Sequence, residues 1–231
     1  MFLSIIIPIY NEENILKKNI KEVCEFFFNK FIFEIIIVND GSTDNSFEIL
    51  DNLDIPNLNI INNDSNLGKG ASIKKGILSS RGEIILITDA DLSTPIQYFN
   101  DLYAKYKQGY NIVIGSRSTN DSKILIKQNL LRIFAGKIFN FLTCTILNLK
   151  FKDTQCGFKL FEQQKINTIM QMCIINRFAF DVEILFLAKK LGYRTYEKGV
   201  LWSNNKNSSV SILSDSLNMF FDVIKIRFTK Y

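Results

Sequence analysis

Phe33-Glu34-Ile35-Ile36-Ile37-Val38-Asn39-Asp40-Gly41-Ser42-Thr43-Asp44 joins a run of β-branched residues to a turn and then to the start of a helix. The apolar run is short and uninterrupted from Ile35 to Val38, the pattern of a strand covered on both faces. The same grammar recurs on either side. Leu3-Ser-Ile-Ile-Ile-Pro-Ile-Tyr10 reads as a first buried strand, with Asn11 placed to cap a helix running to about Phe28. Residues 58–61, 83–88 and 111–115 predict three more strands. Helices are expected from about Asp44, from Gly70 to about Ser80, and over 96–107. Strands alternating with helices in this way predict an α/β fold, a mixed and mostly parallel sheet with helices on both faces. The alternation weakens after Arg117, but no repeat or Pro/Gly-rich linker divides the chain. Residues 1–231 therefore read as one domain, with 118–231 continuing it.

The 231 residues are 47% hydrophobic and 22% charged, which suits a sizeable core and excludes a disordered chain. There is no histidine. A Ser-His-Asp or Cys-His mechanism is thereby excluded, as is a zinc site that relies on imidazole. Acid, base and metal chemistry falls to carboxylates, lysines and hydroxyls. Cys24, Cys144, Cys156 and Cys173 form no Cys-x-x-Cys pair and read as reduced thiols of a cytoplasmic protein. The net charge of +5 is scattered, with no basic run interleaved with aromatics, so nucleic acid is not an expected partner.

No signal peptide precedes Leu3, and no apolar stretch is long enough to span a bilayer. Two segments carry apolar residues at helical spacing. One holds Leu131, Ala135, Ile138, Leu142, Ile146 and Leu149; the other holds Leu213, Leu217, Phe220, Phe221, Ile224 and Phe228. Spacing alone favours core packing. The competing reading is a pair of helices lying in a membrane interface, assisted by Lys225, Arg227 and Lys230.

Polar residues cluster directly after the strands, as Tyr10-Asn11-Glu12, Asp40-Gly41-Ser42 and Asp89-Ala90-Asp91. In an open α/β sheet the carboxyl ends of the strands line one crevice, where ligands bind. Asp89 and Asp91 repel one another unless a cation lies between them. Hard oxygen ligands suit Mg2+ or Mn2+, with a nucleotide diphosphate as the natural companion. Gly68-Lys69-Gly70 lacks the hydroxyl and the upstream glycine of a Walker loop, and no GxGxxG follows a strand, which argues against ATPase and dehydrogenase readings.

Ser4-Ile-Ile-Ile-Pro-Ile-Tyr-Asn-Glu12, Val38-Asn-Asp-Gly-Ser-Thr-Asp44, Asn66-Leu-Gly-Lys-Gly70, Asp89-Ala-Asp91 and Gly115-Ser-Arg117 resemble the successive motifs of family 2 glycosyltransferases with a GT-A fold. Asp91-Leu-Ser-Thr-Pro95, Asp153-Thr-Gln-Cys-Gly-Phe-Lys-Leu-Phe161 and Arg177-Phe-Ala-Phe-Asp-Val-Glu-Ile-Leu185 narrow the likeness to the dolichyl-phosphate β-glucosyltransferase branch, and it extends to about Trp202. The resemblance implies a GT-A, Rossmann-like fold. Residues 1–117 would bind the nucleotide sugar, and 118–231 would face the acceptor through membrane-interface helices at 128–149 and 212–231. It further implies inverting transfer of a hexose, most simply glucose, from UDP-glucose to a dolichyl or other polyprenyl phosphate at the cytoplasmic face of a membrane.

Carried over residue by residue, the resemblance implies that Pro8, Tyr10 and Glu12 flank the nucleotide and that Asp40 accepts a hydrogen bond from uracil. Lys69 would lie in the segment that approaches the nucleotide. Asp89 would contact the ribose or the metal shell, and Asp91 would bind Mg2+ or Mn2+. Arg117 and Arg132 would hold the acceptor phosphate. Asp153 matches the family's later catalytic aspartate. Lys159 stands where related mannosyltransferases often carry Arg, a point charge in place of a bidentate fork.

A phosphate acceptor arrives largely ionised, so it needs positioning more than deprotonation. Asp153 is then open between a base, an orienting partner for a cation, and a turn cap. The nearest alternative is a family 2 transferase with a hydroxyl acceptor on a glycan, which would need a carboxylate base at Asp153 or Glu183. Another donor, GDP-mannose or a different UDP-sugar, is the second. A non-catalytic nucleotide-sugar-binding protein is the third, and the intact Asp89/Asp91 pair speaks against it. Arg177 to Leu185 reads equally as core with helix caps and as part of the acceptor site.

Overall fold

The computed structural model describes residues 2–126, 130–203 and 212–231, including their side chains except those of 130–132 and 212–215. Strand β1 (Phe2–Ile9) sits at the centre of a seven-stranded sheet because its alternating side chains are apolar on both faces. Ile6 enters one core, while Leu3, Ile5, Ile7 and Ile9 enter the other. It pairs in parallel with β2 (Ile32–Asn39) and β4 (Ile84–Ile87), and β2 pairs in parallel with β3 (Leu58–Asn62). Pro8 is tolerated in this central strand because the pairing with β4 covers only Leu3 to Ile6.

The first half continues with β5 (Ile112–Ser116). Beyond it, β6 (Lys123–Ile126), β7 (Lys159–Glu162), β8 (Thr195–Gly199) and β9 (Leu201–Ser203) complete the strands. The order is β3-β2-β1-β4-β7-β5-β8, so strands from both halves share one sheet. Strand β7 is inserted antiparallel between β4 and β5, and β8 pairs in parallel with β5. A separate parallel ribbon joins β6 to β9.

Helices α1 (Leu16–Phe27), α2 (Ser46–Asp51) and α4 (Phe99–Lys107) contribute Leu16, Val23, Leu50, Phe99 and Leu102 to one core. Helices α3 (Lys69–Ser79), α6 (Gln163–Met172), α7 (Phe180–Lys190) and α8 (Ile212–Phe228) contribute Ile73, Ile169, Leu187 and Val223 to the other, beside α5 (Leu130–Leu147). This is the mixed, mostly parallel sheet covered on both faces that the alternation predicts.

Asn11 does not cap the first helix. It adopts φ 56°, and its Oδ1 accepts the Thr43 N–H at 2.8 Å, while its own N–H donates to Ser42 Oγ at 3.0 Å. The residue ties the end of β1 to the turn after β2, and α1 starts later, at Leu16. All four cysteines are unpaired, with Cys156 and Cys173 buried. Among the described residues no helix is long and apolar enough to cross a membrane.

Candidate functional site

The strand ends meet as the sheet geometry requires. Thr88-Asp89-Ala90-Asp91 leaves β4, Arg117 leaves β5, and Lys69 opens α3 after β3. Lys69, Asp89, Asp91, Arg117 and Asp153 line one cavity of about 840 Å3. Tyr10, Glu12 and Asp40 follow β1 and β2 at the same edge, and with Pro8 they lie outside that lining. Tyr10 is exposed.

The Asp91 carboxylate is fixed by its own turn: Ser93 donates its N–H to Oδ1 at 2.9 Å and its Oγ–H to Oδ2 at 2.6 Å. Lys69 Nζ lies 2.5 Å from Asp89 Oδ1. Burial opposes ionisation of Asp89, but Lys69, then Lys159 and Arg117, hold its carboxyl below the ordinary range. Glu12 behaves oppositely. Burial, then the charges of Asp91, Asp89 and Asp44, push it up to about 7. Glu12 thus lies within the field of three other carboxylates, an arrangement that favours a cation nearby.

Among the described residues no group of three carboxylates or thiols converges closely enough to hold an ion unaided. Asp89 and Asp91 offer two oxygen ligands, and donor phosphates would complete the shell. That donor set fits a divalent cation which normally keeps substrate oxygens and water among its ligands.

Asp40 is buried beneath the next loop. Its Oδ1 accepts Asn63 Nδ2 and the Leu67 N–H, and its Oδ2 accepts the Gly68 N–H at 2.9 Å. The carboxylate expected to face uracil is thus turned toward the backbone that carries Lys69.

The other wall belongs to Arg117. Its Nε donates to Asp153 Oδ2 at 2.7 Å and one Nη donates to Oδ1 at 2.8 Å, a two-point fork, while its N–H also reaches Oδ2. The Trp202 ring lies 5.6 Å from the guanidinium carbon. Asp153 is itself seated by Glu197 of β8, which accepts the N–H groups of Lys152 and Asp153. Burial would raise the Asp153 carboxyl, but Arg117's charge and hydrogen bonds outweigh it and hold the group at about 2. Asp153 Oδ1 also accepts the Gln155 N–H at 3.1 Å, so its geometry is that of a partner orienting Arg117 and of a cap for its own turn.

One acceptor-side expectation, direct contact by Lys159, meets a contrary geometry. Lys159 is 1% exposed, and its ammonium is committed to Asp181 Oδ1 at 2.5 Å and to the Cys156 carbonyl. It begins β7, between β4 and β5, so the sheet itself covers it. A charge so enclosed does not reach an acceptor phosphate directly. Arg132 falls on α5, where its side chain lies outside the described residues.

Sequence reasoning missed Asp181, which lines the cavity and neutralises Lys159. Its position in the first turn of α7 looks like an ordinary acidic cap, and only the tertiary fold brings it to Lys159. Glu183, a candidate base for a hydroxyl acceptor, lies outside the cavity lining and is fully buried.

The rest of the lining is mixed: Lys137, Asn140, Lys152 and Gln155 stand among apolar side chains that include Ile124 of β6, Ile133 and Phe141 of α5, Met219 of α8, Phe178 and Trp202. Helix α8 buries Met219, Val223 and Ile226 and leaves Leu217, Phe221 and Phe228 exposed. Helix α5 exposes Phe134, Ile138, Phe141 and Leu142, and β6 exposes Ile124, Leu125 and Ile126. The core reading thus holds for one face of α8, and the other face is apolar and exposed.

The family model for Glycosyl transferase family 2 matches residues 4–170. A dolichyl-phosphate beta-glucosyltransferase of Dictyostelium discoideum is 37% identical over 243 aligned residues, covering 99% of this chain and 74% of that protein. A human protein of the same name is 31% identical, covering 97% of this chain and 74% of its own length. In three dimensions, a glucosyl-3-phosphoglycerate synthase from Mycobacterium tuberculosis, solved with Mn2+, UDP and phosphoglyceric acid, superposes with a TM-score of 0.74. That pair is 13% identical, with 99% of this chain and 79% of the other covered.

Proposed function

This chain belongs to glycosyl transferase family 2, and from that premise we propose that it transfers glucose from UDP-glucose to dolichyl phosphate, or a closely related polyprenyl phosphate, with inversion. The observation that carries this reading is one cavity with a carboxylate pair on one wall, an oriented arginine on another and a set of apolar side chains beside them. A diphosphate suits the first, a phosphate monoester the second, and an isoprenoid chain the third.

Asp89 and Asp91 hold Mg2+ or Mn2+, which when bound offsets charge on the departing UDP. Tyr10, Pro8 and Glu12 border the nucleotide, and Lys69 lies where it meets the diphosphate. Asp40 serves the nucleotide indirectly, by fixing the loop that bears Lys69. Asp153 fixes the Arg117 guanidinium, and among the described residues Arg117 Nη1 keeps its donors for the incoming phosphate. Lys159 acts at one remove by holding Asp181 at the cavity wall. The attacking oxygen is already anionic, so positioning supplies most of what a base would.

The decisive experiment incubates the chain with Mn2+, short polyprenyl phosphates and a panel of UDP- and GDP-sugars, followed by mass analysis of the lipid. UDP-glucose is expected to yield an acid-labile glucosyl lipid phosphate. Transfer only to a hydroxyl acceptor, or only from a GDP-sugar, sinks this reading.

The exposed aliphatic and aromatic side chains of β6, α5 and α8 belong to the elements that bound the cavity, which supports peripheral docking to a membrane surface beside the acceptor. Phe134 and Phe221 are 65% and 67% exposed and lie outside the cavity lining, so aspartate there costs the fold little. Phe134→Asp with Phe221→Asp is expected to weaken co-flotation with anionic, polyprenyl-phosphate-containing liposomes by about tenfold or more. Transfer to a detergent-dispersed short-chain acceptor should fall much less. Undiminished flotation of the double variant removes these helices from the membrane contact.

A further inference from the structure

Glu183 is a buried carboxylate that the proposed chemistry leaves without work, and its surroundings give it a structural target. It is 0% exposed in the first turn of α7. Its Oε1 accepts the Ile174 N–H at 2.9 Å, and its Oε2 accepts the Ile175 N–H at 2.9 Å. The Tyr231 hydroxyl, just beyond α8, donates to Oε1 at 2.5 Å. One carboxylate thus holds the turn between α6 and α7 and ties it to the end of α8.

That turn is the seat of the lysine loop. The Asn176 carbonyl accepts the Ala71 N–H at 2.9 Å. A Cβ added to Gly68 would fall 2.5 Å from the Asn176 oxygen, and one on Gly70 would fall 2.8 Å from the Ile175 oxygen. Gly68 also takes φ 101°, which side chains rarely adopt. Both glycines are therefore required by how closely the loop presses on the turn. Lys69 stands between them with its Nζ on Asp89. Asp40 grips the Leu67 and Gly68 N–H groups, and the turn grips Gly68 to Ala71, so the loop is clamped from two directions.

We propose that Glu183 is a positioning residue for the donor: by fixing the 174–176 turn it sets the place of Gly68–Ala71, and so of Lys69, with Tyr231 linking this clamp to α8. The proposal rests on the donor reading given above and deepens it. It also gives the 177–185 segment a role on the donor side, where the sequence had left core packing and the acceptor site equally open.

The test is calorimetric titration of UDP with Mn2+ present, alongside separate KM values for UDP-glucose and polyprenyl phosphate. Glu183→Gln keeps the shape of the group but offers one acceptor oxygen to two backbone donors. It is expected to weaken UDP binding and raise the donor KM by about tenfold, with the acceptor KM changed by less than about twofold. Tyr231→Phe removes only the hydroxyl and is expected to weaken UDP by about threefold. Ile166→Val, a core change in α6, serves as the reference: it should lower the melting temperature without moving UDP affinity.

If both variants bind UDP as the parent does, or lose affinity only in step with melting temperature, the positioning role is overturned. If Glu183→Gln does not fold, Tyr231→Phe decides alone. A parent chain that binds no UDP overturns the donor reading and this one together. A parent that binds UDP but glucosylates no lipid phosphate overturns the acceptor assignment and leaves this test standing.

Discussion

Asp91→Asn is expected to lower transfer by about a thousandfold and to abolish its dependence on Mn2+. The fold should be spared. Ser93 donates both its N–H and its hydroxyl hydrogen to Asp91. An amide keeps the first bond through its oxygen and restores the second by donating to Ser93 Oγ, so the turn after β4 has no reason to open. What the change removes is one of the negative charges that, after burial, help push Glu12 up to about 7. The melting temperature should stay within about 2 °C of the parent. Mn2+ affinity, read by the electron-spin signal of the free ion with UDP present, should fall with the rate. Transfer near the parent level, or unchanged Mn2+ binding with lost activity, takes Asp91 out of the cation site.

The strand ends that carry Asp40, Asp89 and Asp91 are legible in the sequence because they are written in local pattern. Strands 3–9, 33–38 and 84–87 are buried on both faces, so their sequences are nearly unbroken Ile, Leu and Val, and whatever polar residue ends them must lie at the sheet's edge. Asp40, Asp89 and Asp91 could be placed on that ground alone, although the direction in which Asp40 points could not. The wall that holds Lys159 and Asp181 is different. Its position depends on β7, four residues long and inserted antiparallel between β4 and β5. A run of four has no period to read, and its partners lie far off in sequence. That is why Lys159 looked available and proved enclosed, and why Asp181 looked like a helix cap. Asn11 shows the same limit on a small scale: its capping chemistry is real, but it is spent on Ser42 and Thr43 of another loop.

The second large effect concerns Asp153, and it separates a base from an orienting residue. Asp153→Asn is expected to lower kcat by about a hundredfold without removing any limb of the pH–rate profile between about pH 5 and 9. The reason lies in the ion pair. The folded-state carboxyl, at about 2, sits below its ordinary 3.8, so the group is ionised throughout that range and has no proton to exchange in it. An aspartate held so strongly by Arg117 is also a poor proton acceptor. Its contribution is to lock the guanidinium fork. Arg117→Lys should therefore cost a similar factor, since an ammonium keeps the charge and loses the two-point geometry. The double variant should be little worse than either single one, because both break the same unit.

Stability supplies an independent reading with a definite sign. A carboxylate whose folded value is depressed stabilises the fold above the unfolded value and loses that contribution as the pH falls through the folded one. The pair should contribute about 2 kcal/mol at neutral pH, intact above about pH 4 and fading toward pH 2. Acid melting curves of parent and Asp153→Asn should thus converge as the pH drops. If the variant instead loses a limb near neutral pH, or if a hydroxyl acceptor shows a larger loss than a phosphate acceptor, Asp153 is taking a proton and the acceptor is not an ionised phosphate.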